Sequence, residues 1–153
     1  MGVAMCGLIA IRGREPDGAL LILWLVLVVV AADVGAYFVG RRYGGRKLWP
    51  RVSPGKTWSG AVGGLLVAGL VGGLFGLAVG WSLPGVLATS LALAVASQFG
   101  DLLESAVKRH FGVKDASRLI PGHGGVMDRL DGLLGATWLY LVFQGLGLTG
   151  FTA

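Results

Sequence analysis

Four stretches of this chain are too long, too apolar and too free of charge for a fold surrounded by water. They run from about Leu20 to Gly40, Trp58 to Gly80, Trp81 to Gly100 and Leu133 to Phe151, and Asp33 is the only charged residue within them. A helix needs about 20 apolar residues to cross the hydrocarbon of a bilayer. Within that hydrocarbon, helices and closed barrels alone satisfy every backbone N–H and C=O. The expectation is therefore an all-α integral membrane protein, one membrane domain over residues 1–153. It would have about four transmembrane helices, a short apolar segment ahead of them and helical loops on the cytoplasmic side. The opening segment, Met1 to Ile11, is too short to span alone. It lacks the basic start and small-residue cleavage site of a signal peptide, and it reads as the tail of a helix that begins upstream.

Composition agrees: 54% of residues are hydrophobic and 14% charged, where a soluble domain carries about 25% charged residues. The 28 glycines sit largely inside the apolar stretches. Several recur at small-xxx-small spacing (Gly60/Gly64, Gly69/Gly73, Gly72/Gly76/Gly80), which points to close helix packing and carries no catalytic message. The single cysteine, Cys6, excludes an internal disulfide and a cysteine-rich metal site.

A net charge of +5 suits nucleic acid, anionic lipid or a phosphorylated substrate, and position decides between them. Eleven of the 13 basic residues fall in two segments. Arg41, Arg42, Arg46, Lys47, Arg51 and Lys56 separate the first two spans; Lys108, Arg109, Lys114, Arg118 and Arg129 separate the last two. Those segments share one side of the membrane, and a Lys/Arg excess marks that side as cytoplasmic. Arg12 and Arg14 fall on the other side in this arrangement. Basic clusters this close to a membrane set topology, touch anionic lipid or meet phosphorylated substrates; no nucleic acid is expected. The multi-pass chain would lie in a bacterial-type inner or plasma membrane.

The first polar segment contains Ser53-Pro-Gly-Lys-Thr57. Gly55-Lys56-Thr57 looks like the end of a P-loop, but that motif needs glycine where Pro50 stands, and no soluble strand precedes it. The residue types still suit phosphate. Lys56 offers an ammonium, while Ser53 and Thr57 offer hydroxyls at the mouth of a helix starting near Trp58, where backbone N–H groups favour anions. The plainer alternative is a helix cap with a topology-setting lysine. Asp33 lies inside a span, where a carboxylate costs roughly 2.5–3.5 kcal/mol. It is either functional or paired with a basic residue of the adjacent loop.

The second polar segment is richer. If 100–110 is helical, Asp101, Glu104, Ser105 and Lys108 share one face, and Asp128 and Asp131 repeat the arrangement before the fourth span. Acidic helix ends at one membrane surface suit Mg²⁺, which takes carboxylate oxygens together with substrate phosphates. Gly122, Gly124 and Gly125 around His123 allow a tight turn whose N–H groups can meet a phosphate. Pairing of the acids with Lys108 and Arg129 is the simpler account of any one of them; together they point to a phosphoryl or nucleotidyl site.

From Ser105 to Asp131 the sequence SAVKRHFGVKDASRLIPGHGGVMDRLD resembles the signature of the phosphatidate cytidylyltransferase (CDP-diacylglycerol synthase) family. Gly100-Asp-Leu-Leu-Glu-Ser105, the Asp33…Gly-Ala-Tyr-Phe38 segment and Ser-Pro-Gly-Lys-Thr57 are similar to other features of that family. The resemblance covers residues 30 to 131 and corresponds to the C-terminal catalytic half of longer members. It implies transfer of CMP from CTP to phosphatidate, giving CDP-diacylglycerol and pyrophosphate, at a site facing the cytoplasm. By position, Asp101 and Asp128 would be metal ligands and, with Lys108 and His123, catalytic. Ser53, Lys56, Thr57, Arg109, Lys114, Arg118 and Arg129 would bind substrate phosphates, with Asp33, Glu104 and Asp131 as further candidates. The cofactor implied is Mg²⁺, with room for a second, monovalent or divalent cation. Ser59 departs from the family pattern, which has glutamate at that place, and most of the helices that precede the catalytic half in longer members are absent. The substrates expected are CTP and phosphatidate, among membrane lipids. A homo-oligomer or a completing helical subunit would supply the rest, since the glycine faces of the second span look unpaired. The competing readings are a CTP-dependent lipid or polyprenol kinase, an inactive truncated homologue acting as a membrane subunit, and a cation transporter using the same acids.

Overall fold

The computed structural model describes residues 2–13, 17–113 and 127–149. Their elements follow in the order α1 (Gly2–Arg12), α2 (Gly18–Tyr43), β1 (Lys47–Trp49), β2 (Ser53–Thr57), α3 (Trp58–Val79), α4 (Leu83–His110) and α5 (Met127–Gly145). Among the described residues, α2, α3 and α4 are long and apolar enough to cross a membrane. The fourth span expected at 133–151 corresponds to α5, which starts earlier and ends at Gly145. The first turns of α5 carry Asp128, Arg129 and Asp131, so only its later part is free of charge. The expected third span and the helix at 100–110 are one uninterrupted helix, α4, entered through Pro84 in its first turn.

Glycine sets how closely these helices lie. On α2, Ala32, Ala36 and Gly40 form one stripe, and Gly60 and Gly64 of α3 face it. A Cβ added at Gly60 would stand 2.7 Å from the Ala36 carbonyl oxygen, and one at Gly64 would stand 2.6 Å from that of Ala32. Backbone therefore meets backbone, the use to which small residues are put in membranes. On its other side α3 receives side chains of α4: Gly72 lies under Ser90, Gly73 under Leu87 and Gly76 under Val86. Gly135 of α5 abuts Ala96 and Gly100 of α4. The glycine faces of the second span are thus spent inside the molecule, and the expectation that they stand unpaired is corrected. What α3 presents outward is Val62, Leu66, Leu70, Leu74 and Leu77.

The core lies toward the end of the bundle remote from the hairpin. Trp24 is fully buried, edge-on to Trp81 and Tyr140 with ring centroids 6.1 Å apart in both pairs. Its indole N–H donates to Ser90 Oγ at 3.2 Å. The turn between α3 and α4 is minimal: Gly80 caps α3 at φ 83°, a conformation that favours glycine, and Trp81 folds back into the core.

The segment between α2 and α3 is not helical, contrary to expectation. Gly44 and Gly45, at φ 59° and 98°, end α2, and β1 and β2 form an antiparallel hairpin. Trp49-Pro50-Arg51-Val52 makes the turn, closed by Val52 N–H donating to Trp49 C=O at 3.1 Å, with proline where its fixed φ suits a turn. Lys47 pairs with Thr57 and Trp49 with Ser53, and the register shift between them is a bulge.

Candidate active site

The hairpin folds back over the ends of α2 and α4 and roofs a cavity of about 590 Å³. The cavity is lined by Asp33, Tyr37 and Arg41 from α2, Lys47 and Lys56 from the hairpin, and Gln98 and Asp101 from α4, among others. From Gly18 to Asp33 the helix rises about 22 Å, and from Leu83 to Asp101 about 27 Å. Two carboxylates thus meet near the boundary of a hydrocarbon layer about 30 Å thick. Among the described residues, the hairpin of the first polar segment and the α4 end of the second come together at one end of the bundle.

Lys56 and Asp101 form an ion pair across the cavity, with side chains 27% and 34% exposed. Asp101 also accepts a hydrogen bond from Ser105 Oγ at 3.4 Å, one turn on. Glu104 pairs with Lys108 at 3.4 Å, so the shared face expected of Asp101, Glu104, Ser105 and Lys108 is present. Lys108 and Glu104 serve each other there and lie outside the cavity lining. Asp33 faces the cavity and, among the described residues, forms no ion pair within bonding distance.

Thr57 is the N-cap of α3: its Oγ1 accepts from Gly60 N–H at 3.1 Å. It also lies 3.1 Å from Ser59 Oγ, which in turn donates to the Gly44 carbonyl. The Thr57 hydroxyl is therefore engaged at both ends, in the manner of a structural cap. Ser59, at the place where the resemblance has glutamate, ties the start of α3 to the glycine that ends α2. Ser53 begins β2, opposite Trp49, and Arg109 lies in the last turn of α4; neither lines the cavity. Lys114, Arg118 and His123 lie outside the described residues. Asp128, Arg129 and Asp131 belong to α5, but their side chains lie outside the described set. Gly132, packed beside Ser97, and Gly135, against Ala96 and Gly100, bring the start of α5 to the end of α4 that carries Asp101.

Sequence reasoning missed three contributors. Arg41 and Lys47 are not distinguished by the sequence from the rest of the basic cluster, yet both line the cavity. Gln98 also lines it, its amide donating to Ala61 C=O at 3.2 Å across the gap left by Gly64. The available signals were the four-residue spacing of Tyr37 and Arg41 and an amide deep in an otherwise weakly polar span.

The metal that the sequence resemblance implies is Mg²⁺. Asp33 and Asp101 supply carboxylate oxygens to one cavity beside a lysine, a hard-donor set that fits that ion with phosphates as its remaining ligands.

The profile of the Cytidylyltransferase family matches residues 1–146. The phosphatidate cytidylyltransferase of Brucella suis biovar 1 (strain 1330) is 53% identical over 146 residues, 93% of this chain and 53% of that protein. The proteins of the same name from Haemophilus influenzae and Bacillus subtilis are 46% and 42% identical over 132 and 136 residues. They are covered over 46% and 51% of their lengths, by 82% and 88% of this chain. The chain spans about half the length of these curated relatives. A match over nearly its whole length places the chain in the cytidylyltransferase family.

Proposed function

We propose that this chain carries the nucleotidyl-transfer site of a phosphatidate cytidylyltransferase. A phosphate oxygen of phosphatidate attacks the α-phosphorus of CTP, the α–β anhydride bond breaks, and pyrophosphate leaves with its electron pair. The observation that carries the reading is the Lys56–Asp101 pair in a cavity at the membrane boundary. A lipid phosphate and a soluble nucleotide can meet only at that depth.

Both reactants are anions, and the phosphate monoester is already a competent nucleophile. The site must therefore align them and neutralise their repulsion, and no activating base is required. Lys56 is held by Asp101 so that its ammonium faces the cavity, where it can meet a CTP phosphate. The caps at Thr57 and Ser59 fix the start of α3 beneath it. When bound by Asp33, Asp101 and the acids of α5, Mg²⁺ would supply further neutralisation and polarise the reacting phosphate. The Lys/Arg excess at this end supports a cytoplasm-facing site.

The test is transfer of radiolabel by the purified chain in nanodiscs containing phosphatidate, with Mg²⁺. Label from α-³²P-CTP is expected in the lipid product and label from γ-³²P-CTP is not. Transfer of the γ label would make the protein a lipid kinase and sink the proposal.

A further inference from the structure

Three cations line the cavity, and the motif residues account for only one of them. Lys56 is matched by Asp101. Arg41 of α2 and Lys47 of β1 line the same cavity, and among the described residues no carboxylate pairs with either. Arg41 is nonetheless braced: its Nη1 donates to Tyr37 Oη at 2.7 Å, and its guanidinium lies 5.9 Å from the centre of the Tyr37 ring. One N–H is used, and the rest of the planar fork remains for a ligand. A guanidinium held this way matches the oxygens of a phosphate monoester better than a mobile ammonium does.

Depth and surroundings select which phosphate. Arg41 lies about 35 Å along α2 from Gly18, just beyond a hydrocarbon layer about 30 Å thick and therefore at headgroup level. Tyr37 lines the cavity, yet its ring packs edge-on against Phe38, which is 64% exposed on the outer face of the bundle. Val34, one turn earlier, is exposed as well. A lipid can therefore approach with its acyl chains along Val34 and Phe38 and its phosphate directed past Tyr37 to Arg41. A nucleotide arriving from water has no use for that apolar flank.

We infer that Arg41, braced by Tyr37 and joined by Lys47 from the hairpin, forms the subsite for the lipid's phosphate monoester, distinct from a nucleotide subsite at Lys56. The assignment rests on the function proposed above, but it is tested by binding, without turnover. The probes are dihexanoyl phosphatidate, dihexanoyl phosphatidylglycerol, CTP and inorganic phosphate, titrated against the detergent-solubilised chain. Arg41→Ala is expected to weaken phosphatidate binding about ten- to hundredfold, as loss of a charged hydrogen-bonding partner does. Its effect on CTP should stay within about twofold. Tyr37→Phe and Arg41→Lys, which leave the packing in place, should weaken the same ligand by smaller factors. Phosphatidylglycerol, a diester, should bind more weakly than phosphatidate.

The subsite is overturned if the Arg41 variants weaken CTP as much as phosphatidate, or if they change neither. It is equally overturned if phosphatidylglycerol binds as tightly with the same dependence on Arg41, or if equimolar inorganic phosphate displaces the lipid. Binding of phosphatidate through Arg41 without label transfer from CTP would leave the subsite standing and remove the proposed reaction. Normal transfer with unaffected Arg41 variants would do the reverse.

Discussion

At the scale of single residues, the proposed reaction gives Asp101 and Lys56, which form an ion pair, different parts in handling negative charge. Asp101→Asn keeps shape and hydrogen bonding with Ser105 but removes the charge that holds Lys56 and suits Mg²⁺. A drop in kcat of at least about a hundredfold is expected, the scale seen when one electrostatic partner of a transition state is lost. Insertion and yield should stay near wild type. Near-normal turnover of this variant at limiting Mg²⁺ would remove Asp101 from the metal and move the assignment to Asp131 or Glu104. Lys56→Ala should chiefly raise KM for CTP, because the contact exists before the transition state as well as in it; a fall in kcat with unchanged KM would contradict that role. Asp33 and Asp101 were legible as candidates because a carboxylate in or beside a span is costly. Arg41 was not, because a basic residue after a span has an ordinary explanation in topology, and its brace by Tyr37 exists only once α2 has formed.

At the scale of elements, the spans could be read from their lack of charge, whereas the hairpin could not be read from periodicity. β1 and β2 are three and five residues long, too short to show alternation. Gly44-Gly45 and Trp49-Pro50 were the local signals of a helix stop and a turn. The glycine spacing in α3 was readable as packing, but which faces it served was not, since the same pattern fits an internal neighbour or a second subunit. Adding a methyl group distinguishes a real contact from an open position. Gly60→Ala places Cβ 2.7 Å from a backbone oxygen that cannot rotate away, so a loss of about 1–3 kcal/mol is expected. Gly145→Ala meets nothing within 4 Å and should be neutral. Thermal unfolding of the two variants in one detergent checks this; equal midpoints would mean that α2 and α3 are not in backbone contact.

At the scale of the whole molecule, the hairpin between α2 and α3 and the last turns of α4 lie at one end of the bundle, and the Gly80–Ser82 turn, joining α3 to α4, lies at the other. In a background with Cys6→Ser, Lys47→Cys and Lys114→Cys should resist an impermeant thiol reagent in intact cells, whereas Ser82→Cys should react. Labelling of 47 and 114 from opposite sides would break the arrangement. The continuity of α4 has a further consequence. Its uncharged part, Leu83 to Gly100, is a rigid rod about 27 Å long, and Asp101 follows directly on its end. Acyl-chain length in the surrounding lipid therefore sets how far that carboxylate is drawn toward the hydrocarbon, at a modest cost per ångström of mismatch. Reconstituted in a series of phosphatidylcholines with increasing chain length, the protein should work best where the hydrocarbon matches that rod, and it should lose activity in the thickest membranes. A flat profile across the series would mean that the bundle tilts freely enough to keep Asp101 at the surface. With a peaked profile, bilayer thickness would itself act as feedback on the proposed lipid-synthesising activity.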